Sequence, residues 1–370
     1  HVHTHMYLIP VYILALLIVG TIAYTTTTDT TDPGTKMAGQ TPPTETMKAI
    51  VNTHFGAIDD VLRMDLTHPR CNLADSQPGD MLIKVLACSL SPGDNRNING
   101  SVSFIRKCKF PWIPGHDVCG EIVAIRDDDT DAKQHFAPGD IIVTTSSQTI
   151  MQGGLAEYAL VESAHAAKKP PNIRPAAAAT LGSSAQRALQ AVRKVKVGSG
   201  HRVLVLGGSG GFGSFVIPLL KAKGAFVVTT STQDSFCREL GADRVLNYEK
   251  YNDSQCWWNM DEFQGKHKFD CIMDCEPDRK GNPLGWSLCR KVLKSRANGG
   301  FYLAVSMDDP DAKMQSLGGV VRHMVPMLWR SMKSSIPFPC SRIPKYRLFM
   351  ATPERSDLSE VLDHVDTGKL

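Results

Sequence analysis

Residues 203–214 read VLVLGGSGGFGS. An uncharged apolar run stops in a turn where Gly207, Gly208, Gly210, Gly211 and Gly213 are interrupted only by Ser209 and Phe212. Gly208, Gly210 and Gly213 form G-x-G-x-x-G directly after a run with the length of a buried strand and at the start of a helical pattern, FGSFVIPLLKAKG. In that context the spacing has a physical reading. Bare backbone lets a pyrophosphate approach, and the N–H groups and dipole at the helix N-terminus favour its negative charge. A second apolar run, AFVVTT, follows about 20 residues on, as a dinucleotide-binding fold requires. The spacing predicts that the whole turn from Gly207 to Gly213 holds a dinucleotide cofactor.

Outward from the turn, the chain changes texture twice. From residue 172 to 355 helical and strand patterns alternate (AAAATLGSSAQRALQAVRKV, RVLVLG, AFVVTT, DSFCRELG), which predicts a parallel sheet with crossover helices. From 47 to 171 short β-rich runs (MKAIVNT, MLIKVLACSL, CGEIVAI, DIIVTT, LAEYALV) are separated by Pro-Gly-Asp or Gly-Gly turns, which predicts a compact, partly closed barrel. The fold class is therefore α/β in two domains. Residues 1–46 stand apart. Met6 to Tyr24 carries no charged side chain and is close to the length that spans a bilayer, so a single membrane anchor is the first expectation and a cleaved signal the second. A Thr/Pro/Gly-rich tether follows it.

Composition narrows the class. A chain of 370 residues, 42% hydrophobic and 21% charged, can bury a large core. A net charge of +4 without a basic run interleaved with aromatics excludes nucleic acid as a partner. The ten cysteines are scattered, with no C-x-x-C pair and no zinc-finger spacing.

Several motifs occur in one order: MKAIV at 47–51, SPGDNRNING at 91–100, IPGHDVCGEIVAI at 113–125, GGLAEYALV at 153–161, GGSGGFG at 207–213, LGADRVLNY at 240–248 and KFDCIMD at 268–274. Together they resemble the zinc-free quinone oxidoreductase, or zeta-crystallin-like, branch of the medium-chain dehydrogenase/reductase superfamily. The resemblance runs from Met47 to Leu370. It implies a GroES-like catalytic domain joined to a Rossmann domain, with NAD(P)H in the cleft between them. It also implies that residues 356–370 begin a return to the catalytic domain that relatives continue for some tens of residues.

Zinc alcohol dehydrogenases of the superfamily place a ligand at each of three positions that here are Ser91, His116 and Gly182. Only His116 can ligate well, whereas a catalytic zinc needs about three protein ligands. The expectation is no metal. Without a Lewis acid, electron-poor quinones or enones are the acceptors that accept hydride directly. Ser91 and Asp94, at the family's N-P-x-D position, are the candidate catalytic residues beside the nicotinamide. The plainer reading of Ser-Pro-Gly-Asp is a turn in which Asp94 bonds its own backbone.

The end of the second strand, AFVVTTST, lacks the acid that holds ribose hydroxyls in NAD enzymes. Ser231 and Thr232 there are expected to take a 2′-phosphate, and the resemblance places Tyr248 in LNY along the adenosine phosphate, so NADPH is the expected cofactor and NADH the alternative. Asp234 falls past the strand, where a helix should begin.

Three departures count against turnover: Arg187 stands where relatives carry Thr, Pro218 falls in the cofactor helix, and D-C-E-P replaces D-T-V-G at 274–277. Two further readings therefore stay open, a membrane-tethered nucleotide-binding or adaptor protein of the same fold, and alcohol dehydrogenase-type activity. The expected partners are a small-molecule electron acceptor, the membrane through residues 6–24 and, as one option, a second copy of the chain in a homodimer.

Overall fold

The structure is a computed structural model. It describes residues 45–370 except 107, 146–152, 251–256, 276–285, 306, 310 and 336–342. The expected anchor at 6–24 lies outside the described residues, among which no helix is long and apolar enough to cross a membrane.

Seven strands build the first half: β1 (Thr46–Asn52), β2 (Leu62–Pro69), β3 (Asp80–Ser89), β4 (Asp117–Ile125), β5 (Ile141–Thr145), β6 (Tyr158–Glu162) and β7 (Ala166–Lys168). Five of them form an antiparallel sheet in the order β6-β3-β4-β5-β7, and β1 pairs with β2 as a separate ribbon. β1 is tied back by Ile50 N–H to the Leu155 carbonyl at 2.8 Å and by a bridge between Asn52 and Trp112. Alternation decides which side is core: Met81 and Ile83 of β3 and Val118 and Ile122 of β4 are fully buried in one cluster, while Lys84 and Glu121 point outward. The β3–β4 register shifts twice, between Leu82 and Ile83 and between Val85 and Ala87. Such shifts bend a strand and re-aim the side chains beyond them.

The second half is a six-stranded parallel sheet in the order β10-β9-β8-β11-β12-β13. Its members are β8 (Arg202–Leu206), β9 (Phe226–Thr230), β10 (Arg244–Leu246), β11 (Cys271–Asp274), β12 (Phe301–Ala304) and β13 (Lys345–Leu348). Helices cover both faces, so a central strand such as RVLVL is apolar throughout rather than alternating. Val203 and Val205 enter one core and Leu204 and Leu206 the other. The order runs from β8 to β9 on one side and from β8 to β11 on the other. That reversal opens a crevice at the carboxyl ends of the strands, where open α/β sheets bind ligands.

Four helices position the site: α1 (Pro92–Ile98), α2 (Ser184–Lys194), α3 (Gly213–Ala222) and α4 (Asp234–Glu239). α3 continues through Pro218, which falls at the sixth residue and so interrupts neither the first turn nor the N–H groups at its start. Asp234 is the first residue of α4 and pairs with Arg238 one turn later at 2.6 Å. The last helix, α5 (Arg355–Asp366), buries Leu358, Val361 and Leu362 in the core that α2 and α3 share. Asp357 accepts from Gln190 at 2.6 Å and pairs with Arg193, both on α2. Arg355 reaches the first half, donating to Asp131 at 2.9 Å and to the Ser163 carbonyl at 3.1 Å.

Candidate functional site

The glycine turn links β8 to α3, and space around it explains its composition. A Cβ on Gly208 would lie 2.0 Å from the Thr229 hydroxyl, and one on Gly213 would lie 2.2 Å from the Gly207 carbonyl oxygen. These two glycines let strand, turn and helix close on one another. Gly210 and Gly211 are exposed, and a Cβ on Gly211 would meet nothing within 4 Å. Their backbone forms the outer face of the turn, next to the N-terminus of a ten-residue helix. The residues present therefore fit a pyrophosphate: tight glycines behind, open glycines and helix N–H groups in front. Ser209 and Phe212 complete the turn, both half-buried.

β9 locks the turn from behind. Gly208 N–H donates to the Thr230 carbonyl at 3.1 Å, and Gly207 N–H to the Thr230 hydroxyl at 3.0 Å. Ser231 is buried; its hydroxyl donates to Ser209 Oγ at 2.8 Å and accepts from Gln233 N–H at 2.9 Å. Sequence reasoning placed Ser231 in direct contact with a phosphate, whereas its hydroxyl is occupied in bracing Ser209. Thr232 and Tyr248, both half-buried, follow the ends of β9 and β10. The two strands are adjacent there, with Ser231 N–H donating to the Leu246 carbonyl at 3.1 Å.

The second part of the site joins the SPGD and PGHD turns. Asp94 Oδ2 accepts from the Ser91 amide at 2.7 Å and the Ser91 hydroxyl at 2.8 Å, which is the local turn bonding expected of Ser-Pro-Gly-Asp. Its other oxygen does something local bonding does not require. Asp94 Oδ1 accepts from Gly115 N–H at 3.3 Å and is bonded to His116 Nδ1, across 22 positions of sequence. Gly115 has φ +96°, which a side chain would strain, and a Cβ there would lie 2.4 Å from Cys88 Sγ.

Asp117 comes next, at the head of β4. It is 3% exposed, and its Oδ2 accepts the Ser183 hydroxyl at 2.5 Å from the N-cap position of α2. Its Oδ1 presses against Gly182, 2.9 Å from where a Cβ would stand. Arg187 is exposed one turn along α2, its amide bonded to the Ser183 carbonyl at 3.0 Å, and its charge acts on Asp117.

The two neighbouring carboxyls are driven apart. Burial pushes Asp94 up, but the His116 bond and charge, with the Ser91 bonds, outweigh it and hold Asp94 below the usual carboxylate range. Burial raises Asp117, the nearby Asp94 charge adds to it, and Ser183, Thr145 and Arg187 only partly offset it. Cys88 is pushed up to about 12, first by burial and then by both carboxylates. One carboxyl is thus held ionised and its neighbour is disposed to keep a proton, a separation that suits acid–base work.

The three positions that hold zinc in the resembled alcohol dehydrogenases do converge, but their side chains are otherwise engaged. Ser91 Oγ gives its proton to Asp94, and the space next to Gly182 belongs to Asp117. Among the described residues no group of three His, Cys, Asp or Glu side chains is placed to hold a metal ion. Sequence reasoning singled out Ser91, Asp94 and the glycine turn and expected His116 to pack or hydrogen-bond at the cleft; it named neither Asp94 as the partner of His116 nor the buried pair of Asp117 and Ser183.

Comparison with known proteins agrees with this architecture. Residues 77–171 match the alcohol dehydrogenase GroES-like domain family. The NADPH-dependent alkenal/one oxidoreductase of Arabidopsis thaliana chloroplasts is 30% identical over 315 residues, covering 80% of this chain and 74% of that protein. The chloroplastic quinone-oxidoreductase homolog of Spinacia oleracea is 33% identical over 211 residues, covering 55% of this chain and 61% of that protein. The structure of the quinone oxidoreductase from Coxiella burnetii superposes with a TM-score of 0.67 at 24% identity, covering 88% of this chain and 89% of that one, and shares the fold. The chain belongs to the medium-chain dehydrogenase/reductase superfamily, in its quinone oxidoreductase branch, and is an NAD(P)H-dependent oxidoreductase.

Proposed function

We propose that the protein is an NADPH-dependent reductase of quinones or reactive enones that works without zinc. The observation that carries this is the use made of the three former ligand positions: Ser91 and His116 are both bonded to Asp94, and Asp117 fills the space at Gly182. The Gly207–Gly213 turn would hold a nicotinamide dinucleotide through its pyrophosphate, and that cofactor would supply hydride for an electron-poor carbon. The protein's part is to hold the acceptor at the Asp94 end of the cleft, exclude water and supply a proton. A conjugated carbonyl or quinone suits such a site, because its own π system takes up the electron pair that zinc would otherwise stabilise. The names of the Arabidopsis thaliana and Spinacia oleracea relatives support the same acceptor class and an organellar compartment.

Transfer of deuterium from stereospecifically labelled NADPH to a quinone or an alkenal, by purified protein, tests the reading. One face of the nicotinamide should donate, and elemental analysis of the same sample should find no stoichiometric zinc. One zinc per chain, lost together with activity on chelation, would sink the zinc-free reading.

Cofactor preference follows from the strand end. Thr232 and Ser209 can donate to a 2′-phosphate without opposing its charge, and Asp234 is turned to Arg238. NADPH should bind more tightly than NADH by about 1 to 3 kcal/mol, the size of a few charge-assisted hydrogen bonds. Thr232→Asp should erase that preference; Ser231→Asp is a poorer test, since it would place a carboxylate in the buried brace behind Ser209. Titration of both cofactors by intrinsic fluorescence decides it, and tighter binding of NADH by the unmodified protein would refute the assignment.

A further inference from the structure

A reductase of this kind must protonate the acceptor after hydride arrives, and the hydroxyl beside the nicotinamide position is poorly placed to do so. The proton of Ser91 points to Asp94 Oδ2 at 2.8 Å, and the same carboxylate oxygen takes the Ser91 amide. Asp94 itself is a carboxylate at 2% side-chain exposure with both oxygens engaged. Ser91 and His116 are both partly exposed, but the Ser91 proton is committed to Asp94, whereas the His116 side chain keeps 16% exposure. Asp94 holds its Nδ1, and Nε2 has no hydrogen-bond partner among the described residues.

We propose that His116 is the general acid of this site: its Nε2–H passes a proton to the oxygen of the acceptor, while Asp94 fixes the ring and Ser91 fixes Asp94. The inference rests on the reading of the protein as a hydride-transferring reductase. The step balances as follows. Hydride from the reduced nicotinamide forms a C–H bond at the electron-poor carbon, and the π pair moves to the carbonyl oxygen. The Nε2–H bond of the imidazolium breaks and an O–H bond forms, leaving neutral imidazole and an enol; with a quinone acceptor this enol then tautomerises to the hydroquinone, the carbon that took hydride losing a proton and the second carbonyl oxygen gaining one. Water at the exposed edge of the ring returns the proton, so one NADPH and one proton are consumed per acceptor reduced.

Asp94 from α1 is bonded to the His116 ring and stays ionised. Asp117, adjacent on the chain, and Cys88, from β3, are both raised by burial, and the Asp94 charge adds to each. Two cations stand further back. Arg106, after α1, acts on Asp94, and Arg187, on α2, acts on Asp117. The carboxylate against Nδ1 is the contact that selects the tautomer and orients Nε2, as a buried aspartate does for catalytic histidines generally.

Wild type, His116→Gln and Asp94→Asn are compared in two measurements. The first is kcat and KM for a quinone or alkenal with NADPH between about pH 5 and 9. The wild-type kcat should fall as pH rises through one ionisation. His116→Gln should lose that ionisation and roughly 100-fold in kcat, within the range of general acid catalysis, with KM little changed. The second needs no turnover: nitrogen NMR of the imidazole in the cofactor-free protein should show Nε2 protonated at neutral pH. Asp94→Asn should change which ring nitrogen carries the proton, the effect of losing the carboxylate that holds Nδ1. A kcat profile unchanged in His116→Gln, or an Nε2 that carries no proton at the pH of activity, would overturn the assignment while leaving the reductase reading intact. Absence of hydride transfer by the wild type would overturn the reductase reading itself, and the assignment with it.

Discussion

Gly213→Ala is expected to cost roughly 2 to 4 kcal/mol of stability and to weaken NADPH binding by about 100-fold or more. The added Cβ would stand 2.2 Å from the Gly207 carbonyl oxygen and 2.9 Å from Gly208 Cα. Both are backbone atoms, so no rotamer change relieves the contact and the turn must open. Opening it separates Gly207 from the Thr230 hydroxyl and pulls the N-terminus of α3 off the end of β8. The phosphate site and the strand–helix packing therefore fail together. Gly211→Ala separates the two roles. Its Cβ meets nothing within 4 Å, so stability should stay within about 0.5 kcal/mol of wild type. Cofactor affinity should still fall, because the methyl group occupies the face a pyrophosphate approaches. Thermal melting without cofactor, beside NADPH titration by intrinsic fluorescence, measures both. Normal melting for Gly213→Ala would show that the turn tolerates a side chain where the geometry forbids one. Unchanged NADPH affinity for Gly211→Ala would show that the cofactor lies elsewhere.

How far the sequence could be read depended on the range of each interaction. The glycine turn was legible because its signal is local: a buried strand, bare backbone and a helix start within twelve residues, and period-two and helical patterns that alternate after it. α5 was legible for the same reason, since Leu358, Val361 and Leu362 share one face at helical spacing. The cleft was legible only in part. Ser91 and Asp94 stood out as neighbours, but the bond from Asp94 to His116 crosses 22 positions, and that from Ser183 to Asp117 crosses 66. Both depend on how β3 and β4 register, including the two irregularities between them, and no periodicity in either segment encodes that. Ser231 shows a finer limit. Its residue type announces a hydrogen bond, and only the fold decides that the bond goes inward to Ser209 rather than outward to a ligand.

The adjacent carboxyls of the cleft should respond to neutralisation with opposite signs. For Asp94 the folded-state pKa lies below the ordinary carboxylate value, chiefly because the His116 and Ser91 contacts overcome the cost of burial. Its stabilisation is then present above the unfolded-state value near 3.9 and is lost as pH falls through the folded value. Asp94→Asn should therefore destabilise by about 2 to 4 kcal/mol near neutral pH, as expected when a buried, multiply bonded charge is removed. The difference should shrink on acidification. For Asp117 burial raises the folded-state pKa, and the Asp94 charge raises it further. The folded protein then holds a proton that the unfolded chain releases, so stability is greatest at low pH and falls as pH rises toward the folded value. Asp117→Asn keeps an acceptor for the Ser183 hydroxyl without the buried charge. Relative to wild type it should gain stability as pH rises from about 4, reaching about 1 kcal/mol near neutrality, the size of one net hydrogen bond. Melting temperatures of the three proteins across about pH 4 to 9, without cofactor, give both curves. The decisive quantity is the slope of each difference with pH rather than its size at one value, since packing effects of the substitutions do not titrate. A gap between Asp117→Asn and wild type that stays constant with pH, or that turns increasingly unfavourable to the variant as pH rises, would mean that Asp117 is ionised and stabilising in the folded protein, and that its burial beside Gly182 is compensated by contacts other than the Ser183 hydroxyl.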